Sequence, residues 1–169
     1  RARIDVALAE FATNTIEHVR EESELLSGEI DLPATKTKFA GHHVLMLSGD
    51  RPAQVSALAT RLGIAGEGGL LPAEKLDRIA QLDAEGRHVL MVGDGLNDTP
   101  AMARAHVSMA PASAVDIGRN AADFVFLRND LAAVPEALSV AAEARDLVRQ
   151  NLILALIYRR LVTVLIPLV

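Results

Sequence analysis

The sequence predicts an α/β protein built on a mostly parallel sheet, and three observations carry the prediction. Short apolar runs at His43–Leu47, 89–92 and 124–127 alternate with helical patterns across residues 43 to 127, the order that yields parallel strands joined by right-handed crossovers. Two of these runs end directly in glycine-containing turns, Ser48-Gly49-Asp50 and Gly93-Asp94-Gly95. Such turns lie at the carboxyl edge of a sheet, where open α/β folds bind ligands. An N-terminal helix and a C-terminal apolar helix complete the expected chain.

Composition narrows the function classes. A chain of 169 residues is long enough for a domain with a genuine core. Half its residues are hydrophobic but only 3% are aromatic, so that core must be made of Ala, Val, Leu and Ile. A formal charge of −5 with no basic run argues against a nucleic-acid partner. Without cysteine there is no disulfide, thiolate metal site or thiol nucleophile. The chain opens at Arg1 with neither methionine nor a signal-peptide core, so it is expected to belong to something longer.

Taken in order, residues 1–26 read as an amphipathic helix, with Ile4, Leu8, Phe11, Ile16 and Val19 near helical spacing and an acidic solvated face. Residues 28–41 lack a period and contain Pro33, which predicts a linker. The strand 43–47 follows, then a helix from Pro52 to about Leu62 that Gly63 closes, a flexible connection at 66–69 and a helix from about Pro72 to Glu85. Beyond the 89–92 strand, the pattern gives a short helix at 99–105, a strand at 106–110, a helix at 113–121 and a strand at 124–127. Asn129 and Asp130 are expected to cap a long final helix. The division is therefore 1–41, 42–147 and 148–169.

The chemistry concentrates in the run Val89-Leu-Met-Val-Gly-Asp-Gly-Leu-Asn-Asp-Thr-Pro100. Asp94 and Asp98 are held just past a buried strand, and hard paired oxygens beside backbone N–H groups suit Mg²⁺ with a phosphate. Gly-Asp-Gly is also ordinary turn chemistry and Asp98 also fits a helix cap, but strand, glycines, carboxylate pair and helix start coincide here. Ser48 and Gly49 stand between a strand and a helix, an arrangement that offers a hydroxyl and N–H groups to an anion. The same three residues equally make a plain turn with Asp50 as cap. His42 and His43 point to opposite faces of a strand and do not form a metal pair. His18, His88 and His106 stand alone in the sequence and carry no assigned chemistry.

The run GDGLND resembles the magnesium motif of the haloacid-dehalogenase-like superfamily, and with its surroundings it resembles the phosphorylation domain of heavy-metal-transporting P-type ATPases. That resemblance implies a Rossmann-like fold, with Asp94 and Asp98 on Mg²⁺ and ATP as the substrate of the full-length protein. Ser48-Gly49-Asp50 is similar to the family's phosphate-binding Thr-Gly-Asp, and Leu70-Leu-Pro-Ala-Glu-Lys75 to its Leu-Leu-Pro-Glu-Asp-Lys. By the same resemblance Lys75 neutralises a transferring phosphoryl group, and Asn97 belongs to the phosphate-binding set. Met109-Ala-Pro-Ala-Ser113, with Ser48, looks most like copper pumps associated with haem-copper oxidase assembly. The aspartyl nucleophile loop, Asp-Lys-Thr-Gly-Thr in these pumps, has no match. Asp31-Leu-Pro-Ala-Thr-Lys-Thr lacks the lysine and glycine, contains Pro33 and has no apolar strand before it in this reading.

The last 18 residues, 152–169, contain twelve Leu, Ile or Val. Their span of about 27 Å falls just short of a hydrocarbon core of about 30 Å. Those twelve contribute about −4 to −7 kcal/mol to insertion and Arg159 with Arg160 cost about +5 to +7, so the segment inserts only with partner helices. Arg149-Gln-Asn-Leu152 resembles the start of the pumps' membrane-entering helix, where a tyrosine-asparagine pair helps bind the transported ion. Tyr158 matches; Arg159 replaces the asparagine and would repel a cation. The implied setting is a bacterial inner membrane with the site domain on the cytoplasmic side, the remaining pump domains as partners and an ion such as Cu⁺ as cargo. A non-catalytic scaffold of the same fold and a soluble phosphatase of the superfamily are the other two readings.

Overall fold

The structure is a computed structural model that describes residues 4–8, 42–94, 97–114, 116–127 and 131–165. Two compact units divide the chain, Arg1–Leu131 and Ala132–Val169. The first holds a six-stranded sheet of order β3-β2-β1-β4-β5-β6, parallel at every pairing. Its strands are β1 (Ile4–Leu8), β2 (His43–Leu47), β3 (Ala65–Glu67), β4 (His88–Val92), β5 (Val107–Pro111) and β6 (Phe124–Phe126). The helices that connect them are α1 (Pro52–Leu62), α2 (Pro72–Ala84), α3 (Thr99–Arg104) and α4 (Asp116–Ala121), and α5 (Ala133–Leu165) forms the second unit.

β1 corrects the sequence reading. Ile4–Leu8 is a strand, not the first turns of a helix, and it fills the gap between β2 and β4, with Leu8 opposite both Met46 and Val92. Ile4 and Leu8 are four apart, which satisfies a helical template as well as a strand one. What decides the matter is that Val6 and Ala7 are buried at the sheet's centre, where β-branched residues pack well. The rest of the expected N-terminal helix, the linker 28–41 and Asp31 itself lie outside the described residues.

β2 and β4 form where the apolar runs place them, each with its first residue exposed and the next four buried. Leu45, Leu47, Val89 and Met91 pack with Ile79 and Leu82 of α2 and with Ala101 and Met102 of α3, a core nearly free of aromatics, as the composition requires. Met46 on the opposite face meets Val55 and Leu62 of α1. Pro52 and Pro72 open α1 and α2, where a missing N–H costs nothing. Gly63 ends α1 with a φ of 65°, a left-handed conformation that suits glycine.

The connection read as flexible contains β3, an edge strand whose Ala65, Gly66 and Glu67 pair with Leu45, Met46 and Leu47. Its sequence has little strand propensity, and close packing holds it instead. A Cβ on Gly66 would lie 2.6 Å from the Ala59 Cβ, and one on Gly68 would lie 2.8 Å from the Pro52 Cα. Both distances are too short for any side chain, so α1 seats directly on this backbone.

α5 is continuous for 33 residues, through the change from mixed charge to apolar composition near residue 150. Leu152, Ile153, Leu154, Leu156, Ile157, Tyr158 and Leu161 are all exposed. Among the described residues no helix is long and apolar enough to cross a membrane, and the apolar segment is described only as far as residue 165. The predicted Asn129-Asp130 cap lies outside the described residues.

Candidate functional site

Ser48 and Gly93 follow β2 and β4 immediately, so both turns leave the carboxyl edge of the sheet with only β1 between them. Two strand spacings of about 4.8 Å separate the strand ends by roughly 10 Å. The Gly93 N–H donates to the Met109 carbonyl at 3.1 Å, which ties the exit of β4 to β5. Gly95 and Leu96 lie outside the described residues.

The Ser48 turn is laced to the segment that launches α2. Ser48 N–H donates to the Glu67 carbonyl at 3.0 Å, Leu70 N–H to the Ser48 carbonyl at 3.0 Å, and Gly69 N–H to the Asp50 carbonyl at 2.6 Å. Ser48 is fully buried; its Oγ accepts from the Asp50 N–H at 3.1 Å and donates to Asp50 Oδ2 at 3.2 Å. The alternative reading of Asp50 as a helix cap is therefore replaced: Arg51 holds the cap position of α1, and the Asp50 carboxylate orients the serine hydroxyl.

Glu74 accepts the Leu71 N–H at 2.7 Å, the carboxylate half of a capping box, and so fixes the first turn of α2. Lys75 follows at once and is only 1% exposed. Its ammonium donates to Asp98 Oδ1 at 2.8 Å, and Asp98 is itself fully buried. Burial pushes the Asp98 carboxyl above its ordinary range, the Lys75 hydrogen bond and charge oppose that shift, and the negative charge of Asp94 adds to it. Asp98 Oδ2 is buried without a hydrogen-bond partner among the described residues. A buried carboxylate oxygen left open in this way is a costly feature unless something else accepts it.

Asp98 therefore has a defined linkage to pH. A carboxyl raised in the fold contributes stability that is complete below its unfolded value, near 3.8, and that is lost as pH rises through the higher folded value. In metal-free buffer, urea unfolding across pH 4 to 7 is expected to show this loss, and Asp98→Asn should flatten it. An unchanged slope in the variant would show that the carboxyl is not raised.

Of the predicted residues, Lys75 and Asp98 are in direct contact and Asp94 is close enough for its charge to act on Asp98. Ser48 and Gly49 sit on the same sheet edge, joined to the Lys75 helix through the backbone of residues 67–70. Asn97 is exposed beside Asp98. Tyr158 is exposed on α5, in the other unit. Among the described residues there is no cluster of three or more His, Asp or Glu to make a protein-only metal cage. Mg²⁺ does not require one, since it binds one or two carboxylates and keeps water and phosphate oxygens as its other ligands. The open Oδ2 of Asp98, with Asp94 nearby, fits that pattern.

Sequence reasoning passed over three structural groups. Asp123 Oδ2 accepts from the Ser108 N–H at 2.8 Å and from its hydroxyl at 3.0 Å, holding the start of β6 to β5. His106 Nδ1 accepts the Val89 N–H at 3.3 Å, and its ring meets His88 edge-on at 4.5 Å. Asp83 lies 2.5 Å from Arg104 and 3.4 Å from His106, and the Arg104 hydrogen bond chiefly holds its carboxyl below the ordinary range. His88 begins β4 and His106 immediately precedes β5, so this group sits at the amino edge of the sheet, away from Asp94.

A parallel α/β sheet thus gathers a hydroxyl turn, a buried lysine and two aspartates at its carboxyl edge, where folds of this class bind ligands. The sequence model of haloacid dehalogenase-like hydrolases matches residues 6–106, and the chain belongs to that family. It is 54% identical over 120 residues to the nitrogen fixation protein FixI of Rhizobium leguminosarum bv. viciae, a match that takes in 70% of this chain and 16% of that protein. It is 40% identical to the copper-exporting P-type ATPase of Mycobacterium leprae, over 70% of this chain and 15% of that protein. Among solved structures, a zinc-transporting PIB-type ATPase matches 73% of this chain and 21% of its own, with a TM-score of 0.67 and 30% identity. The catalytic CPx-ATPase domain CopB-B matches 65% of this chain and 45% of its own, with a TM-score of 0.58 and 35% identity. The chain thus spans about 15% of the length of these two relatives and less than half of each solved chain.

Proposed function

We propose that this chain is the Mg²⁺- and phosphate-binding part of the phosphorylation domain of a heavy-metal-transporting P-type ATPase, with copper as the cargo. The observation that carries the reading is the buried Lys75–Asp98 pair with its open carboxylate oxygen, set at the sheet edge beside the Ser48 turn. In the whole pump, ATP donates the phosphoryl group. Mg²⁺, when bound, supplies positive charge to the phosphoryl oxygens. Asp94 and Asp98 would hold that ion, the Ser48 hydroxyl, on turning from Asp50, and the Gly49 N–H would donate to phosphoryl oxygens, Asn97 would add a side-chain amide and Lys75 would balance the transferring charge. Membrane attachment through the α5 side, the remaining pump domains as partners, a cytoplasmic position for the site and an ion contact at Tyr158 belong to the same proposal.

The chain holds no matching nucleophile. The residues after β1 are Ala9-Glu10-Phe11, and Asp-Lys-Thr-Gly-Thr occurs nowhere in the sequence. It is expected to form no acyl phosphate by itself; a labelled band from radioactive ATP that Asp94→Asn abolishes would refute this. The absent nucleophile also favours a second reading, a non-catalytic scaffold of the same fold.

Mg²⁺ separates the two. If the site is intact, Mg²⁺ at about 100 times its dissociation constant stabilises the chain by about 2.7 kcal/mol, and Asp94→Ala removes the gain. Urea denaturation with and without the ion measures it. Equal stabilisation of wild type and Asp94→Ala would count against the proposed site.

A further inference from the structure

The geometry points to a proton-operated latch at the amino edge of the sheet: neutral His106 fastens the entrance of β4, and on taking up a proton its ring gives up that tie and keeps its partner on α2. The latch lies at the opposite edge from Asp94 and Asp98 and does not depend on the function proposed above. It starts from a gap in the strand ladder. The His106 N–H donates to the Val89 carbonyl at 3.1 Å, so the backbone groups of Val89 face β5. The Val89 N–H points the same way, but the chain arrives there from α3, which ends at Arg104, and β5 begins only at Val107. The His106 ring fills the gap, its Nδ1 accepting the Val89 N–H at 3.3 Å. Val89 is buried, so losing this acceptor is costly.

A nitrogen that accepts a hydrogen bond carries no proton, so the proton of the neutral ring sits on Nε2, which lies 3.4 Å from Asp83 Oδ1. One ring thus serves two elements, β4 through Nδ1 and α2 through Nε2. A second proton can go only to Nδ1. There it confronts the Val89 N–H, donor against donor, and the tie to β4 is lost. The pairing with Asp83 gains a full charge instead. Asp83 stays ionised across the range in which histidine titrates, because the Arg104 hydrogen bond chiefly holds its carboxyl below the ordinary range. The His106 side chain is 33% exposed, which leaves it open to solvent protons. The other charged or titratable groups around it are Arg104 at the end of α3, already bound to Asp83, and His88 at the start of β4, whose ring meets His106 edge-on. Glu85 and Arg87, in the loop that enters β4, pair with each other at 3.4 Å, and Asp123 before β6 is engaged by Ser108.

The test uses the full chain labelled with ¹⁵N and titrated by NMR across about pH 8 to 5. At the alkaline end the His106 ring should show the tautomer protonated on Nε2. The Val89 amide resonance should then move with the same midpoint as the His106 ring. Its hydrogen-exchange protection, corrected for the intrinsic rate, should fall roughly two- to tenfold, the loss of one hydrogen bond. His88 adjoins Val89, so His88→Gln separates the two rings, and the Val89 response should persist in that variant. His106→Asn offers a side-chain oxygen in place of Nδ1 without a titrating group, and Val89 should then ignore pH. A neutral ring protonated on Nδ1 overturns the proposal. So does a Val89 amide that does not follow the His106 ring, or a response that survives His106→Asn or vanishes with His88→Gln. Should His106→Asn fail to fold, the wild-type tautomer and the His88→Gln titration decide the matter.

Discussion

Lys75→Met is expected to lower the unfolding free energy at pH 7 by about 3–5 kcal/mol, the range for removing one partner of a buried ion pair. The cost arises because Asp98 is fully buried and the lysine ammonium is the group that compensates its charge. Two features distinguish this from a general packing defect. Without Lys75 both remaining influences on Asp98, burial and the Asp94 charge, raise its carboxyl, so the penalty should shrink as the buffer is acidified and the carboxyl takes up a proton. Lys75→Met combined with Asp98→Asn should recover much of the loss, since no charge is then left unpaired, with a coupling on the order of 0.5–3 kcal/mol. Urea unfolding of the four proteins of this cycle provides both numbers. Strictly additive losses would mean that the pair does not act as a unit.

Leu47→Ala is expected to cost about 2–5 kcal/mol, since it deletes a buried branched side chain and leaves a cavity. Leu47 is the last residue of β2, is fully buried, and packs in the cluster that joins the sheet to α2 and α3. The cavity would open at the last residue before Ser48, so the variant is expected to weaken Mg²⁺-dependent stabilisation along with the fold. Leu71, 65% exposed in the Leu-Leu-Pro run, supplies the contrast. Leu71→Ala should stay within about 0.5 kcal/mol. Comparable losses at the two positions would mean that the sheet edge is not packed as described.

The strands that carry the site were legible because their apolar runs are bounded by glycine turns, and burial at 44–47 and 89–92 follows that pattern residue by residue. β1 and β3 were not. Ile4 and Leu8 fit a helical template, and only the gap between β2 and β4 makes that segment a strand. Ala65-Gly66-Glu67 has no strand signal of its own; hydrogen bonding to β2 and the close approach of α1 make it one. For the candidate site, Asp94, Asp98 and Ser48 were singled out from strand-and-turn pattern, and Lys75 from the resemblance of its Leu-Leu-Pro run to the family's. The orienting role of Asp50 was not read, because a cap and a hydroxyl-orienting carboxylate look the same in a Ser-Gly-Asp turn.

The sequence by itself determined the parallel α/β class and the carboxyl-edge turns with the charged residues they carry, because these follow from periodicity and short-range turn chemistry. Only the tertiary structure decided that Lys75, 23 residues before Asp98, ends 2.8 Å from it with both side chains buried and Asp98 Oδ2 unpartnered among the described residues. The reason is physical. Periodicity records which side of an element is buried, whereas the partner of a buried charge is set by how separate elements converge, and that information is spread across the whole sheet.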